Sequence, residues 1–561
     1  MYLSVLMVSV LVSLLGMSAL VVKRVQRRNH QSSMDASQAR FIAQSALRIG
    51  MLDIENDPNW RYNFPNGTWK DDVALLGGKY TLEAYDPSDG DLANNPEEPV
   101  VLVATGVVGS ARQKTQLTLT PVNRGYSFLE KALVSQHDIK VEENTYLYCN
   151  QILASNHDFD AQSGSSIVAD VEAENDVKGS GTYYGTTEEE IQQEAFPETD
   201  DILSYYLARG TEIDYSSIQD KAVNIIKNDT FETNIDLWEA DSCSISKSES
   251  WPYAGASNLL CSNRNSVSDA VTYDVTNRIA KGETYNLTFW GRSSGITYDA
   301  FSVIIETDAS SSGVQQVVAN TGLMMPYWVQ YTVSLSPNWS GTLNSAKIRI
   351  QTRYSSVSFN IDNVSFKEPD PPAGTIYKRV ISPNHNPYGE TNPDGIYFID
   401  CGGSALGIDT CRILGTLVVL DSGDSSQIYP GPIAWSTVEP NFPCLLVDGK
   451  FNINATSDGL NETRDEVNYN PIGAAHNTLG EDDDIVDTIP SKISGLIYVS
   501  DDLVFDNQAN IEGVVLGGNK ITIEDTFSLV YNSIFFTNPP PGFSAPETIR
   551  ILLNSVQKPL D

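Results

Sequence analysis

The chain has 561 residues, more than one hydrophobic core accommodates, and at roughly 150 residues per domain it should divide into about three or four units. Its 36 Lys and Arg stand against 72 Asp and Glu, a formal charge of −36 that disfavours nucleic acid as a partner. Cys149, Cys243, Cys261, Cys401, Cys411 and Cys444 form no C-x-x-C pair and offer no zinc spacing. Local disulfides joining Cys243 to Cys261 and Cys401 to Cys411, which would imply an oxidising compartment, compete with six buried thiols.

Residues 1–22 carry no charge and are long enough to cross a bilayer as a helix. No small-residue cleavage site follows; Lys23, Arg24, Arg27 and Arg28 do, so a retained anchor is expected rather than a removed signal. The positive-inside rule alone would keep the rest of the chain in the cytoplasm. Ala36, Ala39, Ala43, Ala46 and Gly50 then recur at helical spacing beside Phe41, Ile42, Leu47 and Met51, so the helix continues until Asn56, Asp57 and Pro58 stop it. An apolar start running unbroken into an alanine-rich amphipathic helix resembles the stem of a type IV minor pilin or pseudopilin. That resemblance implies export and pilin-like partners. It departs from the family in showing no basic leader and Val5 where a Glu is usual, so an ordinary anchor remains open. Ser9, Ser13 and Gly16 form a small-residue stripe on which such helices pack in either case.

The stretches 77–84, 100–108 and 113–120 read as antiparallel strands. Between the first two, Asp86, Asp89 and Asp91 gather three carboxylates that could hold calcium but depart from the EF-hand spacing, and a solvated turn is expected there. Farther on, 495–512 lies on 513–530 at an offset of 18 residues without a gap, and Gly395 and Gly415 open two earlier copies offset by 20. Residues 132–141 resemble 497–505. Short strands at this period suggest β-solenoid coils that begin before residue 184, are interrupted by an acidic helical piece and an inserted domain, and resume after Asp370-Pro371-Pro372. Residues 429–494 are expected to be irregular, and 548–556 to cap the last coil.

Between them lies an all-β stretch. Tyr285, Leu287 and Phe289 alternate with Asn286, Thr288 and Trp290, and the same period of two recurs at Phe301/Val303/Ile305, Val329/Tyr331/Val333/Leu335 and Ala346/Ile348/Ile350. The opposite faces collect Trp290, Arg292, Gln330 and Arg349. Amides and guanidinium groups can pair with sugar hydroxyls while an aromatic ring stacks on the apolar face of a pyranose. The ordered set Asn228-Asp229-Thr230-Phe231-Glu232, Trp238, Trp251, residues 282–292 and residues 359–366 resembles the family 4 and 9 type of carbohydrate-binding module. That resemblance implies a jelly-roll sandwich that binds glycan, with Trp290 and Arg292 as platform and clamp, Trp251 and Tyr253 contributed by a loop, and Gln330 and Arg349 beside them. It also implies a structural calcium ion near Asp229, Glu232 and Asp362.

His30, His137, His157, His385 and His476 sit in no metal or triad spacing, and neither a nucleophile elbow nor a phosphate loop is present. The expected fold is therefore mainly β, with an N-terminal transmembrane or pilin-like long helix, β-solenoid-like repeats and an inserted jelly-roll β-sandwich. Its expected segments are 1–57, the transmembrane and stem helix; 58–125, a small pilin-like β region; 126–221, the start of the solenoid and the acidic helical piece; 222–370, the sandwich; and 371–561, further solenoid repeats, a loop and a tail. The expected function is that of a membrane-anchored, extracytoplasmic polysaccharide-binding protein. Two alternatives are a glycosyl hydrolase with two carboxylates facing across a solenoid groove, and a fibre-assembly subunit in which the sandwich is a spacer.

Overall fold

In the computed structural model, residues 2–57, 60–92, 98–122, 125–295, 298–544 and 548–551 are described. The chain forms two compact units, one comprising Met1–Ser127, Phe536–Pro539 and Phe543–Asp561, the other Phe128–Phe535 and Pro540–Gly542.

In the first unit, one helix runs over Tyr2–Glu55 and is long and apolar enough to cross a membrane. Leu11, Leu14, Leu15 and Leu20 in its N-terminal half are exposed. In its C-terminal half, Ala39, Ile42, Ala43, Ala46 and Leu47 are buried with Tyr80, Leu82, Leu102 and Ala104 of an antiparallel sheet. That sheet orders strands Gly67–Leu75, Gly78–Tyr85, Val100–Val108, Ala111–Val122 and Thr548–Ile551. Helix and sheet approach so closely that a Cβ on Gly106 would lie 2.1 Å from the Ala39 carbonyl oxygen. The helix ends at Glu55, before the expected Asn56-Asp57 stop; Pro58 lies outside the described residues. Thr548–Ile551 caps no coil, and residues 552–556 of the expected cap lie outside the described residues. Ile551 pairs with Leu119, so Thr548–Ile551 extends this sheet instead.

The second unit contains, among its described residues, a 17-stranded and a nine-stranded sheet built of short parallel strands. Gly495 pairs with Gly513 and Leu503 with Ile521, both at an offset of 18 residues. Alternate side chains such as Ile139, Val141, Phe159, Ile521 and Ile523 point into a common core and are fully buried. The recurring glycine has a steric cause: a Cβ on Gly513 (φ +153°) would lie 1.9 Å from the Gly495 carbonyl oxygen. The order of stacking differs from the order of the chain. Val515 pairs with Leu133, so the late strands stack onto the earliest ones, and Thr211 pairs with Tyr397 at the other end. Helix Thr199–Arg209, which buries Ile202, Leu203 and Tyr206, lies on the chain between these two ends. Residues 429–494 are more regular than expected: Ile433–Ser436, Pro443–Gly449 and Phe451–Ala455 all join the parallel sheets. Pro430, Pro432 and Pro443 mask that pattern in the sequence.

The inserted sandwich has two five-stranded antiparallel sheets. The front sheet orders strands Ser244–Ser248, Asn258–Ser262, Phe359–Lys367, Tyr285–Ser293 and Val329–Leu335; the back sheet orders Trp238–Asp241, Ala270–Asp274, Leu343–Thr352, Ala300–Ala309 and Gly313–Leu323. Their inner faces enclose Phe289, Phe301, Tyr331 and Phe359, whose rings meet largely edge to face at 5.0–5.6 Å. The two ends of the module lie side by side: Ile225 N–H donates to the Phe366 carbonyl at 2.9 Å, and Phe366 N–H to Asn224 Oδ1 at 2.9 Å. No disulfide joins the cysteines. The Cys243 and Cys261 sulfurs lie 3.4 Å apart as thiols, while the Cys411 thiol donates to the Ile376 carbonyl rather than bonding to Cys401.

Candidate functional site

On the front sheet the period of two places Leu287 and Phe289 in the core and Trp290 and Arg292 on the outer face. Trp290 lies opposite Gln330 on one neighbouring strand and Asp362 on the other; Gln330 is exposed. A loop then crosses this face. Asp362 is fully buried, and its Oδ2 accepts the N–H groups of Tyr253 at 3.0 Å and Ala254 at 3.3 Å. Burial pushes the Asp362 carboxyl up, against the pull of those amides. Pinned there, Tyr253 lays its ring on the Trp290 indole, with centroids 3.7 Å apart and planes 12° from parallel.

The remaining rings surround Arg292. Its guanidinium carbon lies 5.5 Å from the Trp251 ring centroid and 5.9 Å from that of Trp328, and its Nε is buried without a hydrogen-bond partner. Trp328 donates its indole N–H to the Trp251 carbonyl at 2.8 Å, which fixes the loop from the other side. Trp251, at φ +59°, is 75% exposed, and Tyr253 is 38% exposed. The accessible platform is therefore Trp251 and Tyr253. Trp290, whose face Tyr253 covers, supports it from beneath.

Trp328 was not singled out in the sequence. It stands just before the alternating run that starts at Val329, where period-two reading gives no orientation; its only signal is the Tyr327-Trp328 pair. Arg349 does not join the group. It lies on the back sheet, where its Nη1 pairs with Asp241 at 2.5 Å and its Nη2 donates to the Ser268 carbonyl.

Asp229, Glu232 and Asp362 do not fit a calcium ion as a set. Glu232 accepts the N–H groups of Ala256 at 2.9 Å and Ser257 at 3.2 Å, Asp362 those of Tyr253 and Ala254, and Asp229 the Asn224 side-chain amide at 3.0 Å. Among the described residues, these three do not form a group with ligand atoms within 4.8 Å of one another. These hydrogen bonds tie the loops in place, and the three carboxylates are not gathered around one point.

Comparison with known proteins bears on the same stretch of chain. Residues 223–356 match the CBM_4_9 family model, described as a carbohydrate binding domain. Endo-1,4-beta-xylanase A of Thermotoga neapolitana is 28% identical over 116 residues, which are 20% of this chain and 11% of that protein; this chain thus spans only a small part of that relative's length. Among solved structures, the CBM22-2 xylan-binding domain of Paenibacillus barcinonensis Xyn10C is 17% identical with a TM-score of 0.23, covering 27% of this chain and 99% of its own. The CBM22-1 and GH10 modules of Clostridium thermocellum xylanase 10B are 20% identical with a TM-score of 0.24, covering 26% of this chain and 28% of their own. The stretch 223–356, with its aromatic outer face, is a carbohydrate-binding module.

Proposed function

We propose that the module binds a β-1,4-linked polysaccharide of the xylan type and does not cleave it. The observation that carries this reading is the exposed pair Trp251 and Tyr253, held rigid by Asp362, Trp328 and Trp290 beside the Arg292 guanidinium. Rings fixed in advance lose little freedom when a sugar stacks on them, and a neighbouring guanidinium can donate to hydroxyls. The name of the xylanase relative supports the choice of polymer. Affinity electrophoresis in gels containing xylan, mixed-linkage glucan or dextran tests it: migration should be retarded by xylan, with no release of reducing ends on incubation. Equal migration in all gels, or steady production of reducing ends, would overturn the reading.

The first unit suggests how the module is tethered. A single helix whose N-terminal half exposes apolar side chains and whose C-terminal half packs on an antiparallel sheet is the arrangement expected of a pilin-like stem and head. With it goes an extracytoplasmic module anchored by residues 1–22, the parallel sheets being read as a β-solenoid scaffold. Protease added to intact cells tests the placement: the module should be digested while a membrane-bound fragment remains.

A further inference from the structure

The connection between strands Gly78–Tyr85 and Val100–Val108 begins with Asp86 and ends near Glu98. Asp86, expected in a solvated turn, is only 6% exposed. Asp86 Oδ1 accepts the Ser88 N–H at 2.6 Å, and the Asp86 N–H donates to Asn66 Oδ1 at 2.9 Å. Asp86 Oδ2 and Glu98 Oε2 are both buried, and neither has a hydrogen-bond partner. One carboxylate oxygen each from Asp86, Asp89 and Glu98 lies within 4.8 Å of the others. Arg61, the buried cation nearby, donates to the main-chain carbonyls of Leu92 and Glu98 at 3.3 and 2.7 Å.

Ionised carboxylates only accept hydrogen bonds, so two that face each other in a buried place leave their oxygens uncompensated and repel. Either a proton or a cation must occupy the gap. We propose that Asp86, Asp89 and Glu98 bind a calcium ion that clips the two ends of this connection together. Three hard oxygens, one from an exposed Asp89 that leaves room for water, suit an ion that takes about six to eight oxygen ligands in loose geometry. Magnesium demands a stricter octahedron, and zinc favours nitrogen and sulfur.

The test is hydrogen exchange on the full-length chain, purified in detergent and stripped with EDTA, read in peptides covering 78–92 and 98–108. Calcium should slow exchange there by about tenfold, and the same concentration of magnesium should not. Asp86→Asn and Glu98→Gln should each abolish the response; if a variant does not fold, the contrast between the two ions in the native chain decides. Three results would overturn the proposal. These are no calcium effect in these peptides, an undiminished effect in both folded variants, or protection that, relative to the intrinsic exchange rate at each pH, rises only on lowering the pH without calcium, which would assign the gap to a shared proton.

Discussion

The two outer faces of the sandwich are written in the same alternating code, yet they end in different states. On the back sheet, Lys347 pairs with Glu239 at 3.1 Å, Arg349 with Asp241, and Gln316 donates to Glu306 at 2.6 Å, so polar groups satisfy one another. On the front sheet, a loop brings Trp251 and Tyr253 over Trp290 and Arg292, leaving rings exposed and one guanidinium N–H without a partner. Solvation alone asks only for the first arrangement. The second orders bulky apolar groups at the surface, and that ordering makes sense where a ligand covers them.

The sharpest way to break this contrast is to release the loop. Asp362→Ala leaves the Tyr253 and Ala254 amides without their acceptor, and should lower stability by about 2 kcal/mol in chemical denaturation and abolish retardation in xylan gels. Removing a ring while keeping the loop is milder: Trp251→Ala or Tyr253→Ala should weaken oligosaccharide binding about tenfold by calorimetry, close to 1.4 kcal/mol, with little change in stability. The back face supplies the control. Arg349→Ala should leave binding unchanged and cost at most about 1 kcal/mol, because its partner Asp241 is substantially exposed. If Arg349→Ala weakened binding as much as Trp251→Ala, the division between the faces would fail.

The smallest effect is a pH dependence. Asp362 holds its proton more tightly folded than unfolded, so the folded state binds more protons and stability falls as pH rises from the ordinary carboxylate range, about 3.9, through the raised value. Asp362→Asn cannot ionise, and in denaturant titrations across that range its stability should lack this part of the slope.

How far the sequence could be read is visible residue by residue. Alternation around Phe289 put Trp290 and Arg292 outside, and there they are, but it could not say that Tyr253 would cover Trp290. Arg349 was grouped with them because alternation separates inside from outside and does not separate one outer face from the other. Trp328 escaped because it precedes its strand's alternating run. Asp86 resembled a turn residue until the sheet buried it.

By itself, the sequence determined the local matters: a long apolar helix starting the chain, strands with one buried face, glycines recurring every 18 or 20 residues, and a module bearing a sugar-binding family's signature. These follow from side-chain periodicity and backbone sterics within a few residues. Only the tertiary structure decided which outer face each polar residue occupies, that the late strand at Val515 stacks on the early one at Leu133, and that Asp86 meets Glu98. Each depends on groups far apart in the chain being packed side by side, and no local pattern encodes which partner closes the gap.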